Sequence, residues 1–512
     1  MRGLASLYAT VDVRALAAGR IALALVLQLD LIKRLPGLST WYTNEGLLPN
    51  HTLLWKPTFD PTFSPFYMAS HGWQAGLGFA VCGLAYLALL LGWRTKAAQV
   101  ASLVAVLGLH GRVLFLQNGG DVALSLLALW TVFLPTGERY SIDAWLRSER
   151  LRGEESPLPI AGPQKVVSLG FTALLLQLVV IYAFNCVHKT GPNWRDGSAV
   201  HYTLHQDRMV TSFGVWFREW MPMAVGQWLT WSALAIEALL PLLLLSPFGQ
   251  RWSRRGAAVL IVALHAGFAL FMNLGVFSAA MIAFAPNLLP TEDWDRFDLW
   301  WRGRQPLLAS SLRARVSRWV VAADSRLPVA PAVMPSEFGT HVREALVAIL
   351  MLVAASQVLV ENAAIPRRLR LHQPAFMAGM VSYLQLFQGW TMFAPDAPRE
   401  DLTVIVDAVT KDERHVDPLS EAASPAHAQG KRTVSPGLGH DSFFCDYLAR
   451  ISGQGWYHQA LIEWVARYPE RTGRQEDAIV SFDLIEVSDK SPPPGETDPR
   501  DVHAKNLLSH KF

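Results

Sequence analysis

The chain has 512 residues, of which 51% are hydrophobic and only 17% are charged, with a formal net charge of +3. Soluble domains carry about 25% charged residues, and apolar runs of about 18 residues or more cross membranes. The sequence therefore indicates an all-α, multi-span membrane protein. The small net charge and the lack of basic runs interleaved with aromatic residues exclude a nucleic-acid-binding protein. The three cysteines show no metal-ligand spacing, and no metal site is predicted.

The apolar pattern predicts five spans in the first part of the chain. They are Val13–Leu35, Gln74–Trp93, Lys96–Gln117, Asp121–Pro135 and Val166–Val187. Arg20 lies inside the first span, so we expect it to face the bundle and pair with Asp30 or Glu237. The Arg20–Glu237 pair would hold the first and sixth spans together. The loop 136–165 is rich in arginine and is predicted to be cytoplasmic.

The second part predicts further spans at Ala224–Leu245 and Val342–Val360, with a basic turn at Arg251–Arg255 between the sixth span and the next apolar run. That run, Gly256–Pro290, is too long for one span and too short for two, so we expect a hairpin folded at Asn273–Gly275 with a short return helix. Residues 301–372 then hold an arginine-rich loop, with an amphipathic segment near Ser311–Ala323, and the last span. The total is about eight or nine spans.

Residues 373–512 predict a small α+β domain beyond a membrane-flanking segment. Phe376–Phe393 is expected to be a re-entrant or surface helix, while alternation at 402–409 and 477–487 predicts strands. A helix is predicted at 444–467, a polar loop at 417–438 and a mobile proline-rich tail at the end. An inside N-terminus and nine crossings place this domain outside the cytoplasm, although Arg367, Arg368 and Arg370 oppose that orientation.

A polar stretch lies after the fifth span, at residues 185–202, and contains the candidate base Lys189. Burial can remove the proton of a lysine near neutral pH, but a lysine at a helix end also anchors the helix at the membrane surface. Both interpretations stay open. The neighbouring candidates for a cavity are His188, Trp194 and Asp196, joined by His110 and Arg112 from the third span.

Several of these residues resemble a known family. The pattern V-H-K-T-G-P-N-W-x-D-G at 187–197 is similar to the catalytic-lysine segment of the vitamin K-dependent γ-carboxylases. His265–Phe277, Ser141-Ile142-Asp143 and Glu237 before Pro241 resemble the HTTM (horizontally transferred transmembrane) domain, a bacterial membrane family related to those carboxylases. The resemblance covers about residues 10–300, and the 388–395 segment is similar to the region after that domain in bacterial members.

The resemblance implies that Lys189 deprotonates reduced vitamin K or another quinol, which then reacts with oxygen. The product abstracts the γ-proton of a peptide glutamate, and the carbanion takes up carbon dioxide. His265 and Asp121 are the other catalytic candidates. Asp121 stands nearest to the position where the carboxylases have a histidine.

Two functions stay open at this point. The first is a carboxylase-like membrane enzyme that acts on a secreted peptide or protein. The second is a non-catalytic membrane partner in the maturation, export or immunity of a secreted peptide. His265, on an apolar helix, has the simpler alternative of a buried structural histidine.

Overall fold

A computed structural model describes residues 2–55, 62–153, 164–302, 337–370, 372–419, 422–423, 442–496 and 500–512. These residues form a helical bundle and a smaller C-terminal domain built on a β-sheet. The predicted class is confirmed at this level. Six helices are long and apolar enough to cross a membrane, and the count of eight or nine spans stays a prediction.

The bundle contains both short helices and long apolar helices. In chain order they are α1 (Arg2–Ala9), α2 (Val13–Arg34), α3 (Leu38–Tyr42), α4 (Asn50–Leu54), α5 (Gly72–Leu91), α6 (Thr95–Arg112), α7 (Gly119–Val132), α8 (Ile142–Gly153), α9 (Leu169–His188), α10 (Pro192–Asp196), α11 (Ala199–Leu204), α12 (Ser212–Trp220), α13 (Met223–Leu245), α14 (Gln250–Phe271), α15 (Phe277–Phe284), α16 (Thr291–Arg302), α17 (Glu337–Glu361) and α18 (Ala375–Leu384). The six membrane-length helices are α2, α5, α9, α13, α14 and α17.

The predicted hairpin is present as α14 followed by the short α15 and a 3₁₀ turn, Ala285–Leu288. The basic residues expected in the turn before it are instead part of α14. Arg254 donates to the carbonyl of Leu7 (2.7 Å), and Arg255 pairs with Asp293 (2.7 Å). Both arginines thus have partners on neighbouring segments, and the helix begins at Gln250.

The predicted fifth span corresponds to α9, which begins three residues later than expected. Thr10–Asp12 (β1) pairs antiparallel with Lys165–Val167 (β2). The first residues of the apolar run therefore belong to a two-stranded sheet and not to the helix. Ser168 then caps α9 by accepting the amide of Gly170 (3.1 Å). Side-chain capping therefore fixes the start of the helix at Leu169.

The C-terminal domain contains an antiparallel sheet with the strand order β5-β4-β3-β6-β7. Its elements are β3 (Glu400–Thr410), β4 (His415–Asp417), β5 (Ala422–Ala423), α19 (Ser442–Ile451), α20 (His458–Ala466), α21 (Tyr468–Thr472), β6 (Ile479–Lys490) and β7 (Arg500–Lys511). Both predicted strands are present: β3 extends beyond 402–409 at both ends, and β6 begins two residues later and ends three residues later than the predicted 477–487. The single predicted helix is divided into α19 and α20, because Gly453 and Gly455 interrupt it.

Two predictions for this region have different outcomes. The prediction of a mobile tail is wrong for residues 500–511, which form β7 and pair along β6. Residues 303–336, with the Ser311–Ala323 segment, and residues 424–438 of the polar loop lie outside the described residues.

The C-terminal domain packs on one end of the bundle, which we call the site end. Arg450 donates to the carbonyl of Phe115 (2.6 Å), and Trp456 donates to the carbonyl of Thr52 (2.9 Å). The ring of Trp41 contacts those of Phe444 and Tyr447, with centroids 5.0 and 5.4 Å away. These contacts join α3, α4 and the turn after α6 to the domain, at the end of the bundle where α2 and α9 finish.

Candidate functional site

Lys189 comes directly after the last residue of α9 and is buried against α13. Its backbone amide donates to the carbonyl of Cys186 (3.1 Å), and Gly191-Pro192 then turn the chain away. The ammonium nitrogen reaches Glu237 of α13, at 2.6 Å from Oε1 and 2.5 Å from Oε2. Lys189 is 8% exposed and Glu237 is 1% exposed. The lysine is therefore one half of a buried ion pair, which excludes a lysine lying free at the membrane surface.

Two further side chains complete this pair. Asn185, one turn earlier on α9, donates to Glu237 Oε1 (2.7 Å). The ring of Trp194 lies 4.5 Å from the Lys189 nitrogen and covers it, an attraction between a cation and the face of an indole. Trp194, a predicted cavity residue, therefore lies directly against Lys189. A charge pair buried at this depth needs such additional contacts, because the desolvation of two ions is costly.

The predicted Arg20–Glu237 pair is wrong. Arg20 donates to the carbonyl of Tyr140 (2.6 Å) near the opposite end of the bundle, and it interacts electrostatically with Asp143. The alternative partner, Asp30, pairs with Arg34 and His110 instead. Because Arg20 lies seven residues from the start of α2, its long side chain reaches back toward that end of the helix.

The segment 393–396, which follows α18, packs over Lys189 and is hydrogen-bonded to residues 191–194. The carbonyl of Phe393 accepts from the indole of Trp194 (2.9 Å), and Asp396 Oδ1 accepts from the amide of Asn193 (2.9 Å). The amide of Gly191 donates to the carbonyl of Pro395 (2.7 Å). A side chain at Gly191 would collide with Asp396, since its Cβ would lie 2.5 Å from Asp396 Cγ. The sequence showed 388–395 as a family-like segment but gave no signal that it covers Lys189.

His188 points away from the lysine, into the polar interior beneath this segment. Its Nδ1 lies 3.0 Å from the carbonyl of Trp390, and its Nε2 lies 3.2 Å from the amide of Ala364. A carbonyl only accepts and an amide N–H only donates, so Nδ1 carries the proton and Nε2 carries none. His188 is thus a neutral positioning group, which ties the end of α9 to the segment after α17.

His265 belongs to the same side of the bundle as Lys189. Its Nε2 lies 2.9 Å from the hydroxyl of Tyr182, which is three residues before Asn185 on α9. Two buried polar atoms of this region, His265 Nδ1 and Asn185 Oδ1, have no hydrogen-bond partner among the described residues. Such atoms are rare in proteins and are often satisfied by a bound molecule or water.

A second buried centre joins α2, α6 and α7 at the site end. Arg34 Nε lies 2.9 Å from Asp30, and Arg34 Nη2 lies 2.6 Å from Asp121. His110 completes it, with Nε2 3.2 Å from Asp30 and 3.6 Å from Asp121, and with Nδ1 2.9 Å from Ser125 Oγ. Nothing in the sequence pattern joined these residues, because they come from helices far apart in the chain.

This second centre changes the roles of three predicted site residues. Asp121 and His110 contact Arg34 and Asp30, and Arg112 donates to the carbonyl of Thr43 (3.2 Å), so none of the three contacts Lys189. Asp30, His110 and Asp121 have the donor types of a metal site. The guanidinium of Arg34 already bonds to both carboxylates, and we assign no metal there.

Asp196 is exposed and does not enter the site. Its Oδ1 accepts from the amide (2.8 Å) and the hydroxyl (2.6 Å) of Ser198. This contact shapes the turn at Gly197, which has a φ of +83° that favours glycine. The predicted cavity role of Asp196 is therefore replaced by a local one, the start of α11.

A cluster of titratable groups lies where the loop 201–208 meets the C-terminal domain. His201 Nε2 lies 2.8 Å from the carbonyl of Pro492, and Asp401 accepts from the amide of Arg208 (3.1 Å). Burial lowers the pKa of His205 to about 4. Burial also raises the pKa of Asp401 to about 6, against the opposing effect of Arg208. As pH falls, protonation of His205 therefore destabilises the folded protein, whereas protonation of Asp401 stabilises it.

We expect Asp401→Asn to make the protein more sensitive to acid than the wild type. Since the folded pKa of His205 is below its unfolded value, its contribution to stability is lost as pH falls below about 6.5. The contribution of Asp401 to stability changes with pH in the opposite direction, because its pKa is raised in the folded state. That contribution is present at low pH and is lost as pH rises through about 6. Thermal midpoints at pH 7 and pH 5 measure the difference. An unchanged pH dependence in Asp401→Asn, or an unchanged one in His205→Gln, would refute this balance.

No protein-family model, no curated protein and no solved structure matches this chain. The resemblance to the HTTM family stays a prediction from its motif residues.

Proposed function

We propose that the chain is a membrane enzyme in which Lys189 is the general base of a quinol- and oxygen-linked reaction. In line with the resemblance, the product would be a carboxylated glutamate in a secreted peptide. The observation that carries the proposal is the buried Lys189–Glu237 pair beside the unpartnered Asn185 Oδ1. The single proton of an incoming hydroxyl group could be donated either to that oxygen or to the amine of Lys189, and the second arrangement is the one that leads to deprotonation.

The residues fit a hydroquinone on chemical grounds. A hydroquinone supplies an acidic O–H, and with oxygen it supplies the oxidising power of the reaction. In the neutral form of the pair, the proton resides on Glu237 and the amine of Lys189 can accept another. Trp194 and the segment 393–396 exclude water above the amine. The quinolate that forms balances the charge of the new ammonium, and the protonated Glu237, 2.6 Å away, accepts a hydrogen bond from it through its carbonyl oxygen.

The orientation in the membrane is part of the proposal. The described parts of the arginine-rich loop, residues 136–153 and 164–165, and the basic start of α14 lie at the end opposite the site, and positive charge favours the cytoplasmic side. We therefore expect the site end and the C-terminal domain to face away from the cytoplasm. Alkaline phosphatase fused after Phe512 should be active, and green fluorescent protein at the same point should be dark. The reverse pattern would place the site in the cytoplasm.

The activity is tested with purified protein in lipid nanodiscs, supplied with a panel of reduced naphthoquinones and benzoquinones. We expect quinol-dependent oxygen uptake above the rate of spontaneous oxidation. Labelled carbon dioxide and a glutamate-containing peptide would then show whether carboxylation accompanies it. Absence of oxygen uptake with every quinol would remove the enzyme proposal.

One observation favours the alternative, a partner that binds a secreted peptide without chemistry. β7 lies at the edge of the sheet, is exposed along most of its length and leaves one side unpaired among the described strands. An extended peptide can add to such an edge as a further strand. Peptide binding that survives Lys189→Arg, together with no oxygen uptake, would support this alternative.

A further inference from the structure

The surface of the loop between α9 and α13 carries an unusual row of exposed aromatic residues. On α12, Phe213, Trp216 and Trp220 recur at helical spacing, and the two tryptophans are 55% and 74% exposed. At the start of α13, Trp228 and Trp231 are 70% and 41% exposed. Apolar surface of this size on one face is unusual for a surface in contact with water.

Helix α12 is held across the end of α14 by specific contacts. Thr211 caps it by accepting the amide of Gly214 (3.0 Å), and the Thr211 amide donates to the carbonyl of Phe271 (2.9 Å). The Phe217 ring packs on Phe271, with centroids 4.9 Å apart. On another face, Arg218 pairs with Asp207 (2.6 Å). The helix thus has one polar and one aromatic side, in a fixed position.

The exposed residues of α13 change type along its length. Trp228 and Trp231 are followed, deeper in the helix, by the exposed leucines Leu239, Leu242 and Leu245. Tryptophan is enriched at the boundary between water and lipid, whereas leucine is suited to the hydrocarbon interior. The change between Trp231 and Leu239 therefore marks a membrane boundary.

We propose that α12 lies in the lipid head-group region and that Trp216, Trp220, Trp228 and Trp231 mark one surface of the bilayer. The aromatic face of α12 is continuous with the lipid-facing surface of α13 and α14. We therefore assign lipid as the molecule that contacts this face. Glu237 comes six residues after Trp231, or about 9 Å along a helix. The Lys189–Glu237 pair accordingly lies inside the membrane, about 9 Å below the aromatic boundary.

Spin labels test this placement without any assay of activity. Cys186 and Cys445 are replaced by serine, the buried Cys82 is kept, and single cysteines are introduced in place of Trp216, Trp220, Trp231 or Leu239. Arg474→Cys, at an exposed position of the C-terminal domain, is the aqueous control. Each variant is labelled with a nitroxide in nanodiscs and checked for an unchanged melting temperature. Collision rates with oxygen and with a water-soluble nickel complex then give the depth.

We expect the labels at 216 and 220 to be more accessible to oxygen and less accessible to nickel than the label at 474. The label at 239 should lie about 12 Å deeper than the one at 231, as eight helical residues require. Two results would overturn the proposal. Nickel access at 216 and 220 equal to that at 474 would place α12 in water. Exclusion of both reagents would show that a protein, such as a second copy of the chain, covers this face.

Discussion

Lys189→Met is expected to destabilise the protein by about 3–5 kcal/mol, because it leaves the carboxylate of Glu237 buried without its cation. Glu237→Gln should destabilise the protein by a similar amount, because it leaves the ammonium of Lys189 buried without its carboxylate. In the double variant neither charge remains, so part of the loss should be recovered. Denaturation by SDS in mixed micelles, followed by circular dichroism, measures all three.

The control for this cycle is a lysine–aspartate pair on the surface. Lys490 lies 2.8 Å from Asp501, and both side chains are about half exposed. Lys490→Met should therefore change stability by less than about 1 kcal/mol. If Lys189→Met is as mild as Lys490→Met, the buried pair does not contribute as the geometry indicates. Additive losses in the double variant would mean that Lys189 and Glu237 do not interact.

Arg34→Leu is expected to have a comparable or larger effect, at or above about 5 kcal/mol. The guanidinium contacts Asp30 (2.9 Å), Asp121 (2.6 Å) and the hydroxyl of Tyr42 (3.0 Å), all buried. Without it, the two carboxylates face each other with only His110 nearby. Conversion of both aspartates to asparagine in the Arg34→Leu background should restore part of the stability.

The matched control is Arg147→Leu, since Arg147 pairs with Glu138 (2.6 Å) at the surface and is half exposed. We expect less than about 1 kcal/mol for that change. An Arg34→Leu variant that expresses and melts like Arg147→Leu would show that the second centre is not an ion-pair network. Failure of the two asparagine substitutions to recover any stability would show that the cost arises elsewhere, for example from the contact of Arg34 with Phe443.

The sequence predicted the long helices well because their signal is local. An apolar run of membrane length determines a helix whatever its neighbours are, and the bounds of α2 and α13 agree with prediction within one residue. The hairpin at Asn273–Gly275 was predictable for the same reason, since its length excluded both one span and two. Alternation likewise predicted β3 and β6.

The candidate site was predictable only in part. The position of Lys189 at the end of a span depends only on neighbouring residues, and the structure agrees with it. The partner of Lys189 could not be deduced, because an ion pair depends on which helices meet and at what height. The sequence predicted a pair of Glu237 with Arg20, whereas the packing of α9 against α13 brings Lys189 to Glu237 instead.

Non-local contacts also account for the other differences. Asp30, Arg34, His110 and Asp121 come together from three helices, and no spacing in the sequence marks them as a group. The cover formed by residues 393–396 lies about two hundred positions from Lys189 in the chain, as the hydrogen bond between Trp194 and Phe393 shows. β7 was missed because its proline-rich approach predicts a mobile tail, whereas pairing with β6 stabilises it.

The most direct test of the role of Lys189 is the quinol-dependent oxygen uptake of Lys189→Arg, measured beside the wild type in the same nanodiscs. Arginine preserves the positive charge toward Glu237 but cannot be deprotonated, so it cannot act as a base. We expect Lys189→Arg to fold, with a melting temperature near that of the wild type, and to lose at least about a hundredfold in rate, as for loss of a general base. Full turnover by a folded Lys189→Arg protein would contradict the proposed chemistry and leave Lys189 as a structural partner of Glu237.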